Sequence, residues 1–458
     1  MGRLAMQRTL ARRAAVLVVI TALGLPACGS ESSNQQTGSG KVAITVTGQP
    51  PSSQAVERRI FDADVAEFEK LNPDIDIVPH EGFMDPKTFS AKLAGGQLED
   101  VYYVYFTDPA SIIARRQAAD ITDHVKDMAV IKQLQPALLD IFKDRNGKVY
   151  GLPTANYSMG LLYNRALFTK AGLDPDKPPA TWDEVRTAAQ KIAALGNGTV
   201  GFADLSKNNQ GGWHLVTWAY AMGSQIARQE GGKWTADFNN AKVKEALRLL
   251  KEMRWTDNAM GDKQLLEATD VQRLMGAGQL GMYLGAPDNV PVLVKEFKGK
   301  YDDYGVAAMP GGQGTLLGGE GYMINPKASP DKIKAGLKWI DWKYLAPDRI
   351  EPRIKQYLDE KQPIGLPATP TPDIYTGDTR AKQSELKTKY ANVPEKNFAS
   401  YLDGNTKLKG NLEPPNAQQI YAALDNVMQG VLTNKDATVD HLLSEAEAKV
   451  NSALAQVK

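Results

Sequence analysis

Thiol and imidazole side chains are few in this 458-residue chain, and their spacing forms no metal-binding motif. Cys28 is the single cysteine, so no internal disulfide can form and no thiolate cluster is on offer to zinc or iron. The four histidines, His80, His124, His214 and His441, are scattered without ligand spacing. Gly311–Gly321 has the composition of a phosphate cradle but lacks the Gly-Lys-Ser/Thr ending of a P-loop. No Gly-x-Ser-x-Gly elbow is present. These readings predict no catalytic residue, no metal site and no cofactor. The carboxylates and aromatic rings that remain carry no motif of their own. Two carboxylates across a cleft are the equipment of a glycoside hydrolase, so that alternative stays open.

Cys28 has a separate chemistry. Arg3, Arg8, Arg12 and Arg13 form a basic start with no acid, and Ala14 to Leu25 is apolar over about 12 residues. That run is too short to span a hydrocarbon core, which needs roughly 20 residues. It reads as a signal peptide over residues 1–27. Leu25-Pro26-Ala27-Cys28 resembles a bacterial lipobox, with Pro26 departing from the usual small or β-branched residue. Cys28 is thus the expected lipidation site. Arg12-Arg13 leaves the export route open between the general and twin-arginine systems. Gly29 to Gly40 is polar and Gly/Ser-rich, so 28–40 reads as a lipid-anchored tether. The membrane is then met through the lipid alone, and the protein sits outside the cytoplasm.

Removing the four arginines takes the formal net charge from +1 to −3. Such a mixed, mildly acidic surface argues against nucleic acid and polyanionic partners. The remaining body of about 430 residues exceeds a single core, so two lobes are expected. Val42, Ile44 and Val46 alternate as in a strand, whereas Val56, Ile60, Phe61, Val65, Phe68 and Leu71 recur at helical spacing. Val101–Phe106 reads as an aromatic strand, and Thr181 with Glu184 as a capping box. Strand and helix alternate along the chain, which predicts α/β lobes with largely parallel sheets.

Gly147-Lys148-Val149-Tyr150-Gly151-Leu152-Pro153 is followed by Leu162-Tyr163-Asn164, Leu167-Phe168, Ala171-Gly172-Leu173 and Pro178–Glu184. This order and spacing resembles the signature of the family 1 extracellular solute-binding proteins, the group containing maltose-binding protein. Leu93–Val101, Arg273–Tyr283 and Gly319–Asn325 resemble further family elements more loosely, and Glu99 stands where the family has Pro. The resemblance implies the two-lobe, type II periplasmic-binding-protein fold, with ligand in a cleft between hinged lobes. Crossings are expected near Pro153–Tyr157, Gly318–Tyr322 and Gly365–Ala368. Lobe 1 would comprise 41–153 plus 321–365, and lobe 2 would comprise 154–320 plus 366–458. It also implies a monomer that captures a carbohydrate and hands it to an ABC importer permease, with the ATPase engaged indirectly. A polyol, sugar phosphate or peptide cargo on the same fold is the alternative.

Carried over position by position, the resemblance gives a short set of ligand contacts. Gln49 follows the first strand, and Tyr105 and Asp108 leave the aromatic strand; Asp108 precedes Pro109 and is equally placed to cap a helix. Tyr157 lies past the first crossover. Trp213 follows a break at Gly211-Gly212, and His214 and Trp218 beside it read as structural. Asp288 stands where close relatives carry Trp, which puts a maltose-like ligand in doubt. Glu320 and Tyr322 sit at the second crossover, where glycines let the backbone approach a ligand. Clustered Arg or Lys, which a phosphate ligand would favour, are missing from these positions.

Overall fold

The computed structural model describes residues 40–83, 86–365, 373–405 and 407–457. Cys28, the expected signal peptide over 1–27, nearly all of the expected tether and most of the expected third crossing at 365–368 lie outside the described residues, and Ile364 before that stretch and Ile374 after it pack in one core.

The first alternation becomes β1 (Val42–Gln49), with Ile44 and Val46 fully buried. β2 (Ile75–Glu81) and β3 (Val101–Tyr105) flank it in parallel. A parallel strand is covered by helices on both faces, which is why the Val-Tyr-Tyr-Val of β3 is buried without alternation. The helix Ala55–Leu71 covers this sheet, its Phe61 and Phe68 meeting Trp339 edge-on at 5.9 and 5.2 Å. Asp64 is buried among them and takes a hydrogen bond from Lys343 and one of 3.2 Å from Gln356, with Arg349 at 3.6 Å.

β4 (Gly151–Ser158) starts at Leu152 in this first core and ends beside Tyr157, which packs on a second. The second core is built on β5 (Gly160–Asn164), β6 (Val200–Phe202), β9 (Leu280–Gly285) and β10 (Tyr304–Ala307), ordered β10-β5-β9-β6. A separate hairpin pairs β7 (Ala227–Glu230) with β8 (Lys233–Ala236). Along β5, Leu161 and Tyr163 face one helical layer and Leu162 the other, the period-2 alternation of a sheet sandwiched between helices. β11 (Thr315–Ile324) returns from Leu316 in the second core to Met323 in the first, antiparallel to β4 throughout. A short β12 (Gly410–Asn411) joins its early end.

The chain's later segments divide differently from the expected boundary at 366. Ile374, Tyr375 and Leu386 pack in the first core, together with Trp339 and Ile354. The helix Gly377–Tyr390 therefore stays with β1–β3, because its apolar residues find their partners there. Phe398, Tyr401 and the helices Ala417–Thr433 and Val439–Leu454 pack with the second core. The capping box at Thr181 and Glu184 is formed, both halves present.

Candidate functional site

A cavity of about 210 Å³ lies where the two cores face each other. Its first wall is the turn leaving β3, with Tyr105, Phe106 and Thr107. Its floor is Tyr157 of β4 and Gly319 of β11. The floor is glycine-dependent: a Cβ on Gly318 would fall 2.4 Å from the Tyr157 ring, and one on Gly319 2.4 Å from the Phe106 ring. The two glycines let both rings lie against the hinge strand.

The opposite wall is the start of the helix Gln210–Ala221, with Trp213 on its first turn. Gly211-Gly212 was expected as a break before this helix, yet both lie inside it. They serve close packing: a Cβ on Gly212 would sit 2.0 Å from the Tyr421 carbonyl, and the Gly211 N–H donates to Asp425 at 2.8 Å. That contact clamps the helix start onto the helix Ala417–Thr433 and aims Trp213 at the cavity. Asn208 and Asn209 before it hold φ of 57° and 68°, a left-handed conformation that Asn tolerates better than most residues. Both line the cavity.

Sequence reasoning placed Tyr105, Tyr157 and Trp213 at the site, and the fold brings the three together around this cavity. His214 and Trp218 are buried and both bond Asp204, at 2.5 Å each, as structural residues do. Asp108 accepts from the Tyr105 N–H at 3.1 Å and the Thr107 hydroxyl at 3.4 Å, so its side chain braces the cavity-lining turn and does not cap the helix after it. Glu320 accepts from the Tyr103 hydroxyl, next to Gly319 on the floor. Asp288 opens the helix Asn289–Phe297 and is exposed, with Asn289 at 3.2 Å. Gln49 and Tyr322 stand away from the cavity. The Gln49 amide is spent on Asp62 at 2.8 Å, and Tyr322 is buried and stacked on Tyr344, their hydroxyls 2.9 Å apart.

Gln210, Glu413, Gln418 and Tyr421 complete the lining and were missed. Nothing in their spacing marks them. Glu413 precedes a long amphipathic helix by a few residues and reads as an ordinary loop acid. Its position is set by Tyr421, one helical turn into that helix, whose hydroxyl donates to it at 3.0 Å.

The electrostatics of the site are one-sided. Burial pushes Asp108 up to about 6 and Glu413 up to about 7, the Asp108 charge adding to the effect on Glu413. Burial likewise raises Glu320, with the Asp288 charge adding to it. Each pairing sets one carboxylate beside the first core or hinge against one beside the second. No residue lining the cavity is Lys, Arg or His among the described residues. Nor does any group of His, Cys, Asp and Glu form a metal site among them. Between the lobes, Lys295 of the second core's helix Asn289–Phe297 donates to Glu57 of the first core's helix Ala55–Leu71.

Comparison with known proteins agrees with this two-walled arrangement. A family model described as bacterial extracellular solute-binding protein matches residues 52–346. A putative binding protein of Brucella abortus is 33% identical over 196 residues, covering 42% of this chain and 44% of the relative. The sn-glycerol-3-phosphate-binding periplasmic protein UgpB of Escherichia coli K12 is 24% identical over 302 residues, covering 61% of this chain and 66% of the relative. The chain thus spans less than half the length of the Brucella relative. An ABC substrate-binding protein of Listeria monocytogenes, in complex with cycloalternan, superposes with a TM-score of 0.70 at 21% identity, covering 91% of this chain and 99% of that one. Among the described residues no helix is long and apolar enough to cross a membrane. A two-lobe α/β fold hinged on β4 and β11, a cavity between the lobes, and a family match over most of the chain together make this protein a member of the bacterial extracellular solute-binding family.

Proposed function

We propose that this chain captures a neutral carbohydrate in the cleft between its lobes and presents it to the permease of an ABC importer. The observation that carries the cargo class is the lining: aromatic rings, side-chain amides and a carboxylate, with no cation among the described lining residues. Tyr105, Tyr157 and Trp213 offer faces to the apolar side of a sugar ring, and Gln210, Gln418 and Glu413 offer acceptors and donors to its hydroxyls. A phosphate ester bound here would meet carboxylates where it needs Arg or Lys. That sets the cleft apart from a glycerol-phosphate site, even though a glycerol-phosphate-binding protein is a relative. The lobes are proposed to move about β4 and β11, the first built from 41–153, about 321–365 and 373–390, the second from 154–320 and about 391–457. Anchoring through Cys28 outside the cytoplasm, monomeric action and the absence of catalysis belong to the same proposal.

The test is a thermal melt of the chain from Lys41 onward with added ligands. A ligand at a hundredfold excess over its Kd stabilises by about 2.7 kcal/mol. Neutral mono- or oligosaccharides are expected to raise the melting temperature, and sn-glycerol 3-phosphate to leave it unmoved. Recovery of the sugar intact separates capture from hydrolysis. A shift by the phosphate ester alone overturns the proposed cargo, and cleavage of the sugar overturns the proposed role.

A further inference from the structure

The family match ends at residue 346, yet one wall of the cavity comes from residues 413–421. Glu413 is the only carboxylate among the described lining residues. Its surroundings define what it can accept. Tyr421 donates to one of its oxygens at 3.0 Å, and its own backbone N–H gives a second bond. The titratable groups facing it are Asp108 from the turn after β3, Tyr157 from β4, Tyr220 from the helix Gln210–Ala221 and Tyr421. None of these supplies a positive charge.

We propose that Glu413 is the specificity-determining residue of the cleft, a carboxylate fixed by Tyr421 that accepts hydrogen bonds from ligand hydroxyls and turns anionic ligands away. Tyr421 is its positioning residue. The inference rests on the carbohydrate reading and adds to it the residue that does the selecting. Carboxylate acceptors make the stronger class of hydrogen bond with hydroxyl donors, and in a cavity without cations the ligand's hydroxyls add to the Tyr421 hydroxyl and the backbone N–H that already bond Glu413. The Asp108 turn stands on the other wall and its charge acts on Glu413, so an anion between them meets a negative group on each side. A hydroxyl-bearing ligand bridges the same gap with donors.

Because burial brings Glu413 to about 7, binding through its ionised form weakens as the pH falls from 8 to 6. The experiment is titration calorimetry on the chain from Lys41, at pH 6 and pH 8, with maltose, cycloalternan, D-mannitol and sn-glycerol 3-phosphate. Wild type, Glu413→Gln and Tyr421→Phe are compared, each checked by its unliganded melt. The expected result is a sugar or polyol bound by wild type more tightly at pH 8. Glu413→Gln then loses roughly tenfold or more, and the pH slope that remains is smaller and confined to the approach to pH 6, where Asp108 titrates. Tyr421→Phe loses less and keeps the pH slope. Equal binding by Glu413→Gln and wild type overturns this inference and leaves the carbohydrate reading standing. If Glu413→Gln fails to fold, a wild-type affinity that is flat between pH 6 and 8 overturns it equally well. Wild type taking up the phosphate ester alone, or none of the four, overturns the carbohydrate reading and this inference with it.

Discussion

Glu413 and Asp108 hold a liability that a soluble protein would ordinarily avoid: carboxyl groups whose burial opposes their ionisation. Burial moves Glu413 from an ordinary 4.5 up to about 7. The folded state therefore keeps a proton that the unfolded chain releases earlier. This contribution to stability is fully present below about pH 4.5 and is lost as the pH rises through about 7. Glu413→Gln removes the titration. Its unliganded stability is expected to exceed that of wild type at pH 8, by on the order of 3 kcal/mol, with the gap closing by pH 5. Scanning calorimetry at the two pH values checks it, and a gap that widens towards pH 5 contradicts the burial of an ionised group here. Residues of this kind are hard to read in a sequence. Tyr105 and Trp213 were legible because an aromatic at a strand or helix end is conspicuous, whereas Glu413 owes its place to Tyr421 and to a wall built from a distant part of the chain. Tyr322 shows the converse, a conspicuous aromatic at the right crossover whose ring turns into the first core to stack on Tyr344.

The elements were more legible than the site. Period-2 and period-3.6 patterns placed β1, the helix Ala55–Leu71 and the closing helices, because burial of one face leaves its mark on every second, or every third or fourth, residue. Gly211-Gly212 was misread for a physical reason. Glycine reports a backbone that is either turning or closely approached, and composition alone does not separate the two. Here the approach is that of the helix Ala417–Thr433. Gly212→Ala is expected to cost roughly 2–3 kcal/mol, since the added methyl meets backbone that cannot swing aside. The same clamp sets Trp213, so the variant should also weaken ligand capture. Urea unfolding and calorimetry on one sample measure both, and a loss of stability with affinity intact would uncouple the clamp from the site.

For the whole molecule, the lobes meet through β4, β11, the stretch between Tyr390 and Phe398, the cavity and the pair Glu57–Lys295. Burial pushes the Glu57 carboxyl up, but the Lys295 ammonium outweighs it and leaves it below its ordinary value. Surface pairs contribute at most about 1 kcal/mol and are screened by salt. Glu57→Gln is accordingly expected to weaken ligand binding by no more than about fivefold in dilute buffer. The difference should vanish near about 0.5 M NaCl. A loss that persists in salt would mean that Glu57 acts through packing and not through charge.

The first core gathers residues from Ile44 to Leu152 and again from Tyr322 to Leu386, while the second runs from Met159 to Leu316 and again from Phe398 to Leu454. Neither half can be finished by the stretch of chain that begins it. A nascent polypeptide stopped near residue 320 would have all of β1–β10 and no completed lobe. Its early strands would be waiting for partners that arrive only with the last third of the chain. Such an interleaved order postpones stable structure until synthesis is nearly over, and it ties the collapse of one lobe to the arrival of the other.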